Sequence, residues 1–160
     1  MTRIGVTGHM NITRDSVPLI RQEIDRILSA AGNPEALLGV SCLARGADSV
    51  FAQAVLDAGG RLEVVLPSRS YRDRKVTPDH AKLFDELVAR AAIVHMMDFQ
   101  DAGREAYEAA NEVVVGTCDK LIAIWDGQPS EKGGTGTVVE LARVKGVPVE
   151  IIWPLGAARG

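Results

Sequence analysis

The segment KLIAIWDGQPSEKGGTGTVVELARVKG, residues 120–146, contains the pattern that decides the fold. Its first part, KLIAIWDG (120–127), is apolar and partly β-branched, which predicts a buried strand. A glycine-rich loop follows, and a helical pattern then runs from near Thr135 to about Lys145, where Gly146 ends it. The segment is one β–α unit, the repeating element of a parallel α/β sheet.

The same alternation extends through the whole chain. The predicted strands are 3–8, 37–43, 61–67, 92–97, 120–127 and 147–154. The predicted helices are 16–32, 48–60, 79–91, 104–119 and 135–145. Six strands and five helices predict a single Rossmann-like α/β domain over residues 1–160, with helices on both faces of a parallel sheet. The strands are nearly continuous apolar runs, as two-sided burial requires, and the last residues, LGAARG, are predicted to fray.

The composition limits the classes of function. The chain has 160 residues, of which 46% are hydrophobic and 24% charged, values typical of one soluble globular domain. A net charge of -3 and an aromatic content of 4% argue against a nucleic-acid partner. The sequence has no apolar run near the roughly 18 residues of a membrane helix, and the N-terminus lacks a signal-peptide pattern. We therefore expect no membrane partner and a cytoplasmic location.

The cysteines and histidines give no metal-binding pattern. Cys42 and Cys118 lie in or beside apolar segments and are interpreted as buried thiols, not as a disulfide. His80 is predicted on a helix surface and His95 in a strand, and the histidines have no ligand spacing. We expect neither a metal nor another cofactor.

The loops after the strands are the candidate ligand sites, because open parallel sheets bind ligands beyond the carboxyl ends of their strands. Three of these loops are unusual: TGHMNITRD (7–15), CLARGAD (42–48) and DGQPSEKGGTGT (126–137). Glycine beside hydroxyl or basic residues before a helix suits an anion, since backbone N–H groups can approach it. The segments match neither the G-K-[ST] phosphate loop nor the G-x-G-x-x-G fingerprint.

Two of these segments carry a family resemblance. VSCLARGADSVFAQAVL (40–56) resembles the S-G-L-A-R-G-I-D segment of the DNA-processing protein of natural transformation. GGTGTVVE (133–140) resembles the P-G-G-x-G-T-x-x-E signature of the Lonely guy phosphoribohydrolases. Both groups belong to the SMF/DprA–LOG (SLOG) superfamily of Rossmann-like nucleotide-binding domains. The resemblance covers nearly the whole chain and implies a nucleotide or nucleotide-derived ligand.

The resemblance also implies roles for individual residues. Glu140 matches the glutamate that faces the ribose, and would be the catalytic carboxylate of an N-glycosidase. Lys132 replaces the signature's proline, and the R-K-x-x-M element of the phosphoribohydrolases is absent. A ligand-binding or sensor domain is therefore the first hypothesis, and cleavage of the base from a nucleoside 5'-monophosphate is the alternative. The expected ligand-binding residues are Thr7, Gly8, His9, Arg45, Gly46, Asp126, Gly133, Gly134, Thr135, Gly136 and Thr137.

Several residues also have structural interpretations. Thr137 and Glu140 fit a capping box, in which threonine caps the helix and glutamate reaches back to the cap N–H. Asp48 could simply favour the helix dipole. The basic segment SRSYRDRK (68–75) is interpreted as a solvated loop, with a phosphate-binding lid as the alternative. A homodimer or larger assembly through helices is expected.

Overall fold

A six-stranded parallel sheet forms the centre of the protein. The structure is a computed structural model that describes residues 1–129 and 134–160. The strands stand in the order β4-β3-β2-β1-β5-β6. Their bounds are β1 Thr2–Gly8, β2 Leu37–Ser41, β3 Arg61–Leu66, β4 Ile93–Met96, β5 Lys120–Ile124 and β6 Val149–Ile152.

The helices cover both faces of this sheet. They are α1 Ser16–Ala30, α2 Ala47–Asp57, α3 Tyr71–Lys75, α4 Pro78–Arg90, α5 Arg104–Thr117 and α6 Thr135–Val144. Ile122 of β5 packs in a cluster with α1 and α2, whereas its neighbour Leu121 packs with α5 and α6. Successive strand residues point to opposite faces, so the two helix pairs lie on opposite sides. The predicted Rossmann-like fold is confirmed.

The helical periodicity of the sequence corresponds to real buried faces. In α1, Ile20, Ile24 and Leu28 are buried at helical spacing. The chain leaves this helix through Gly32, whose φ of 101° lies in the left-handed region that glycine adopts without strain. No helix in residues 1–129 or 134–160 is long and apolar enough to span a bilayer.

Two predictions about the elements were wrong. The described part of the chain contains six α-helices, because the basic segment around Tyr71 forms the short helix α3. Five residues are too few for a helical period to show in the sequence. The strand β4 was expected to be buried on both faces, yet all of its residues are exposed. It lies at the edge of the sheet, beyond β3.

Candidate functional site

The carboxyl end of β1 marks the point where the order of the strands reverses. β1 pairs with β2 on one side and with β5 on the other. The chain builds outward from β1 through β2, β3 and β4, and then returns to the other side with β5 and β6. Such a switch point opens a crevice beyond the strand ends, where α/β proteins bind ligands.

His9 and Asp126 meet at this switch point. The Nε2 atom of His9 accepts a hydrogen bond from the Asp126 backbone N–H at 3.1 Å, and it lies 3.3 Å from the Asp126 carboxylate Oδ1. Burial, and then the charge of Arg159, lower the pKa of His9 below its ordinary value. The neutral imidazole therefore accepts at Nε2 and carries its proton on Nδ1. The predicted ligand residue His9 is buried and serves the protein's own structure.

Asp126 is also engaged by the protein. Its Oδ1 accepts a hydrogen bond from the Gln128 N–H at 3.0 Å, and its Oδ2 lies 3.5 Å from the Arg159 guanidinium. The Gln128 hydrogen bond is the main reason why the pKa of Asp126 falls below its ordinary value. The carboxylate is ionised at neutral pH and compensates the charge of Arg159.

The last four residues, 157–160, form an ordered C-terminal segment over the switch point. Ile12 and Arg159 form an antiparallel bridge, and Asn11 exchanges hydrogen bonds with Gly160 at 2.7 and 3.0 Å. The buried Ser16 hydroxyl accepts from the Ala158 N–H at 2.8 Å. The prediction of a frayed tail was wrong, because its partners come from a loop that is distant in the sequence.

Two predicted glycines are required by packing within the protein. A Cβ on Gly8 would lie 2.4 Å from the Ala47 Cβ. A Cβ on Gly46 would lie 2.7 Å from the backbone oxygens of His9 and Met10, and the φ of Gly46 is 78°. These glycines let the start of α2 approach the loop after β1, a reason independent of any ligand.

Arg45 and Gly46 line a pocket of about 360 Å³ that we call the α2 pocket. Met10, Ile12, Val50 and Leu83 supply much of its apolar wall. His80 also contributes, although it was predicted on a helix surface; it is buried, and its Nε2 lies 3.1 Å from the Leu43 carbonyl oxygen. Helix α4 places His80 beside the segment that follows β2. The helical pattern of the sequence did not indicate this contact.

Asp48 lies in the first turn of α2 and is not among the residues that line this pocket. The carboxyl is buried and accepts a weak hydrogen bond from the Ala44 N–H at 3.4 Å. Burial raises its pKa to about 7. Asp48 is thus a buried titratable group, whereas the sequence indicated a charge at the start of a helix.

A second depression, the α6 groove, lies along the length of α6. It measures about 510 Å³ and is lined by Trp125, Pro129, Gly136, Thr137, Glu140, Leu141, Arg143 and Val144. No residue lines both this groove and the α2 pocket. Arg45 and Gly46 therefore lie at a different depression from Gly136, Thr137 and Glu140. The other predicted site residues that the structure describes line neither depression: Thr7, Gly8, His9, Asp126, Gly134 and Thr135.

The glycine-rich segment leads directly into α6. Gly134 is the N-cap, and the Thr137 N–H donates to its carbonyl at 3.1 Å. Thr137 is therefore inside the helix, and the capping-box interpretation was wrong. Thr135 is buried in the first turn, whereas Thr137 and Glu140 are exposed in the groove. Gly133 lies outside the described residues.

The arginines of the basic segment are paired with carboxylates. Arg72 makes two hydrogen bonds to Asp85, at 2.7 and 2.9 Å, and Arg69 binds Asp98 at 2.7 Å. The Arg69 and Ser70 N–H groups donate to the backbone of residues 99 and 100. The segment is tied to the loop before α5, and these two arginines are occupied by protein partners.

Cysteine and metal chemistry have little support in the described residues. Cys42 and Cys118 are free thiols, and burial raises the pKa of each above its ordinary value. Within residues 1–129 and 134–160, no three His, Cys, Asp or Glu side chains are grouped so that they could hold a metal ion.

Sequence reasoning missed Asn11 and Arg159, which flank the switch point. The only local signal was their polarity, which does not distinguish a docked segment from a solvated tail. Trp153, whose ring lies edge-on to His9 at 5.5 Å, was assigned only to the last strand.

Comparison with solved structures identifies the same fold in three relevant proteins. DNA processing protein A from Streptococcus pneumoniae aligns over 96% of this chain with a TM-score of 0.73 and 19% identity, and the chain spans 51% of that protein. The Helicobacter pylori protein of the same name, described with a single-stranded DNA binding mode, aligns over 99% of this chain and 68% of its own length, with a TM-score of 0.69 and 20% identity.

The molybdenum cofactor carrier protein of Chlamydomonas reinhardtii aligns over 94% of this chain and 75% of its own length, with a TM-score of 0.57 and 17% identity. Neither protein-family models nor the sequences of curated proteins give a match. The chain thus has the fold of the superfamily that its two motifs resemble. At these identities the comparison establishes the fold alone.

Proposed function

We propose that the chain binds a nucleotide or nucleotide-derived small molecule in the α6 groove. The observation that carries this proposal is that the groove unites Gly136 and Thr137 of the glycine-rich segment with Glu140 and Trp125. A volume of about 510 Å³ suits a ligand of nucleotide size. The groove opens beside the carboxyl end of β5, where the fold favours ligand binding.

The chemistry of the lining residues matches the parts of such a ligand. The indole of Trp125 offers an apolar face to a base. The start of α6 offers a positive dipole end to a phosphate, and Arg143 adds a cation at the groove. Glu140 offers carboxylate oxygens to ribose hydroxyls. We infer a ligand-binding or sensor domain, because the described residues that line the groove include one carboxylate and no second acid–base group.

The alternative is an N-glycosidase that releases the base from a nucleoside 5'-monophosphate. One observation favours it: Glu140 is exposed in the groove and forms no hydrogen bond or ion pair with another described residue. A carboxylate so placed could stabilise the positive charge that develops on the sugar as the glycosidic bond breaks.

A panel of nucleoside monophosphates tests both functions. We expect at least one to raise the melting temperature of the protein and to quench tryptophan fluorescence, with loss of both effects in Trp125→Ala. The variant Glu140→Gln removes the charge of the groove carboxylate. Its matched control is Glu105→Gln, at an exposed position on α5. The absence of any shift across the panel would contradict the ligand class.

Chromatography of the same mixtures distinguishes binding from catalysis. If the protein is an enzyme, free base should appear and Glu140→Gln should slow its release by about 10²–10⁴-fold. Binding without base release supports the sensor. Base release that survives Glu140→Gln would exclude this carboxylate as the catalytic group. A binding measurement with a single-stranded oligonucleotide at two salt concentrations tests for the DNA binding described for the Helicobacter pylori protein.

A further inference from the structure

A series of polar contacts leads from the C-terminal segment to the α6 groove. The Arg159 Nη1 lies 3.5 Å from Asp126 Oδ2, and Asp126 Oδ1 accepts a hydrogen bond from the Gln128 N–H at 3.0 Å. The Gln128 carbonyl oxygen accepts a hydrogen bond from the indole N–H of Trp125 at 2.9 Å. Trp125 lines the α6 groove. The turn formed by residues 125–128 thus connects Arg159 to the groove.

This turn depends on the Asp126 carboxylate. A side-chain oxygen that accepts from the N–H two residues later closes an Asx turn. Gly127 lies inside the turn with a φ of 83°, in the left-handed region. The side chain of Asp126 is largely buried, at 18% exposure. The same carboxylate therefore closes the turn with one oxygen and meets Arg159 with the other.

Arg159 is already ordered by contacts other than Asp126. Its Nε donates a hydrogen bond to Asn11 Oδ1 at 3.0 Å, and its backbone bridges to Ile12. Because these contacts hold the residue in place, the pair with Asp126 requires little further loss of side-chain entropy. Among the described residues, Arg159 is the one lysine or arginine that pairs with Asp126.

We propose that Arg159 is a positioning residue for the α6 groove. It holds the Asp126 carboxylate, and the carboxylate holds the turn whose carbonyl fixes the Trp125 indole. The effect on ligand binding rests on the function proposed above, in which Trp125 faces the base. The position of the indole itself does not depend on a ligand. The C-terminal segment thereby shapes a groove that has none of residues 157–160 among its lining residues.

A second role for Arg159 would be only to anchor the C-terminal segment. Under both roles Arg159→Ala lowers the stability of the protein, so stability does not distinguish them. They differ in what happens at Trp125 in the folded protein. An anchor alone leaves the indole where it is, whereas a positioning residue releases it when removed.

Acrylamide quenching of the folded, ligand-free protein tests this difference. The chain has two tryptophans, so Trp153→Phe leaves Trp125 as the sole emitter. In this background Arg159→Ala should raise the quenching constant and lower the fluorescence anisotropy, and Arg159→Lys should restore part of both. The control is Arg72→Ala, which breaks an ion pair with Asp85 by removing an arginine as exposed as Arg159, at 43% against 44%. It should leave both signals unchanged.

A double-mutant cycle tests the route through Asp126. Asp126→Ala removes the turn's acceptor as well as the partner of Arg159, so it should raise quenching more than Arg159→Ala does. If Arg159 acts through this carboxylate, adding Arg159→Ala to Asp126→Ala should change quenching no further. Additive effects of the two substitutions would show that Arg159 acts by another route and would contradict the proposal.

Titration with adenosine, guanosine, cytidine and uridine 5'-monophosphate tests the consequence for binding. Arg159→Ala should weaken the affinity of those that bind by about 2-fold to 5-fold, the range that corresponds to one exposed ion pair. Arg72→Ala should bind as the parent does. Calorimetry measures the affinities without relying on Trp125.

Each outcome has a separate meaning. Unchanged quenching in Arg159→Ala, or an equal rise in Arg72→Ala, would overturn the proposal. Binding by the parent with unchanged affinity in Arg159→Ala would overturn its consequence for the groove. If none of the four monophosphates binds while quenching rises in Arg159→Ala, the proposed function fails and the positioning of Trp125 by Arg159 is supported.

Discussion

The imidazole of His9 and the backbone N–H of Asp126 are joined by a 3.1 Å hydrogen bond that links the ends of β1 and β5. This bond needs an unprotonated Nε2. Protonation would replace an acceptor with a donor that faces another donor, although the carboxylate at 3.3 Å would compensate in part.

Stability should therefore depend on pH through His9. Its pKa is lower in the folded protein than the unfolded value of 6.5, so the unfolded chain binds the proton more readily. The stabilising contribution is complete above pH 6.5 and is lost as pH falls toward the folded pKa. Thermal melts from pH 8 to 5 should show a smaller decline for His9→Gln than for the parent.

The contribution of Asp48 to stability should have the opposite pH dependence. Burial raises its pKa from 3.8 to about 7, so the folded state holds the proton more tightly than the unfolded chain. Its contribution is complete below about pH 4 and is lost as pH rises toward 7. The stability of Asp48→Asn relative to that of the parent should therefore be higher at pH 8 than at pH 5. An unchanged difference across this range would show that the carboxyl ionises normally.

The Ser16 hydroxyl should hold the C-terminal segment in place. It is fully buried and contacts Thr13 and Ala158, so Ser16→Ala removes partners from buried polar groups. We expect a loss of about 1–3 kcal/mol in the free energy of unfolding, measured with urea. In a chain shortened after Pro154 the same substitution should cost clearly less. Equal costs in both backgrounds would indicate that Ser16 acts independently of residues 155–160.

Alanine substitutions at Gly8 and Gly116 should change the stability of the protein in opposite directions. A Cβ at Gly8 would lie 2.4 Å from Ala47 and 2.9 Å from Ile124, and both neighbours belong to the packed core. Gly8→Ala should destabilise the protein by about 1–3 kcal/mol or more. Gly116 has open space and lies in α5, so Gly116→Ala should stabilise by roughly 0.5–1 kcal/mol. Denaturant midpoints measure both.

Local patterns were sufficient to predict the main elements. Ile20, Ile24 and Leu28 show helical spacing, and β5 is an apolar run, because each element must bury a face of its own. The exposure of β4 could not be predicted in this way. A strand's burial depends on its place in the sheet, and the place of β4 follows from the order of all six strands.

The candidate site was predictable only in part. Gly136, Thr137 and Glu140 share a groove because they are neighbours on one helix. Arg45 lies in a different pocket, since β2 and β5 are on opposite sides of β1. The partner of Ser16 is 142 residues away, so the contact leaves no pattern in the sequence around either residue.

The position of Gly160 affects how the protein should be handled for these measurements. An affinity tag or reporter fused after Gly160 would emerge next to Asn11 and could press on the loop beside His9. Met1 is 63% exposed and precedes the amino end of β1, so it lies at the end of the strands opposite to their carboxyl ends. Immobilisation or labelling at the start of the chain therefore leaves the ligand-facing side of the domain unobstructed.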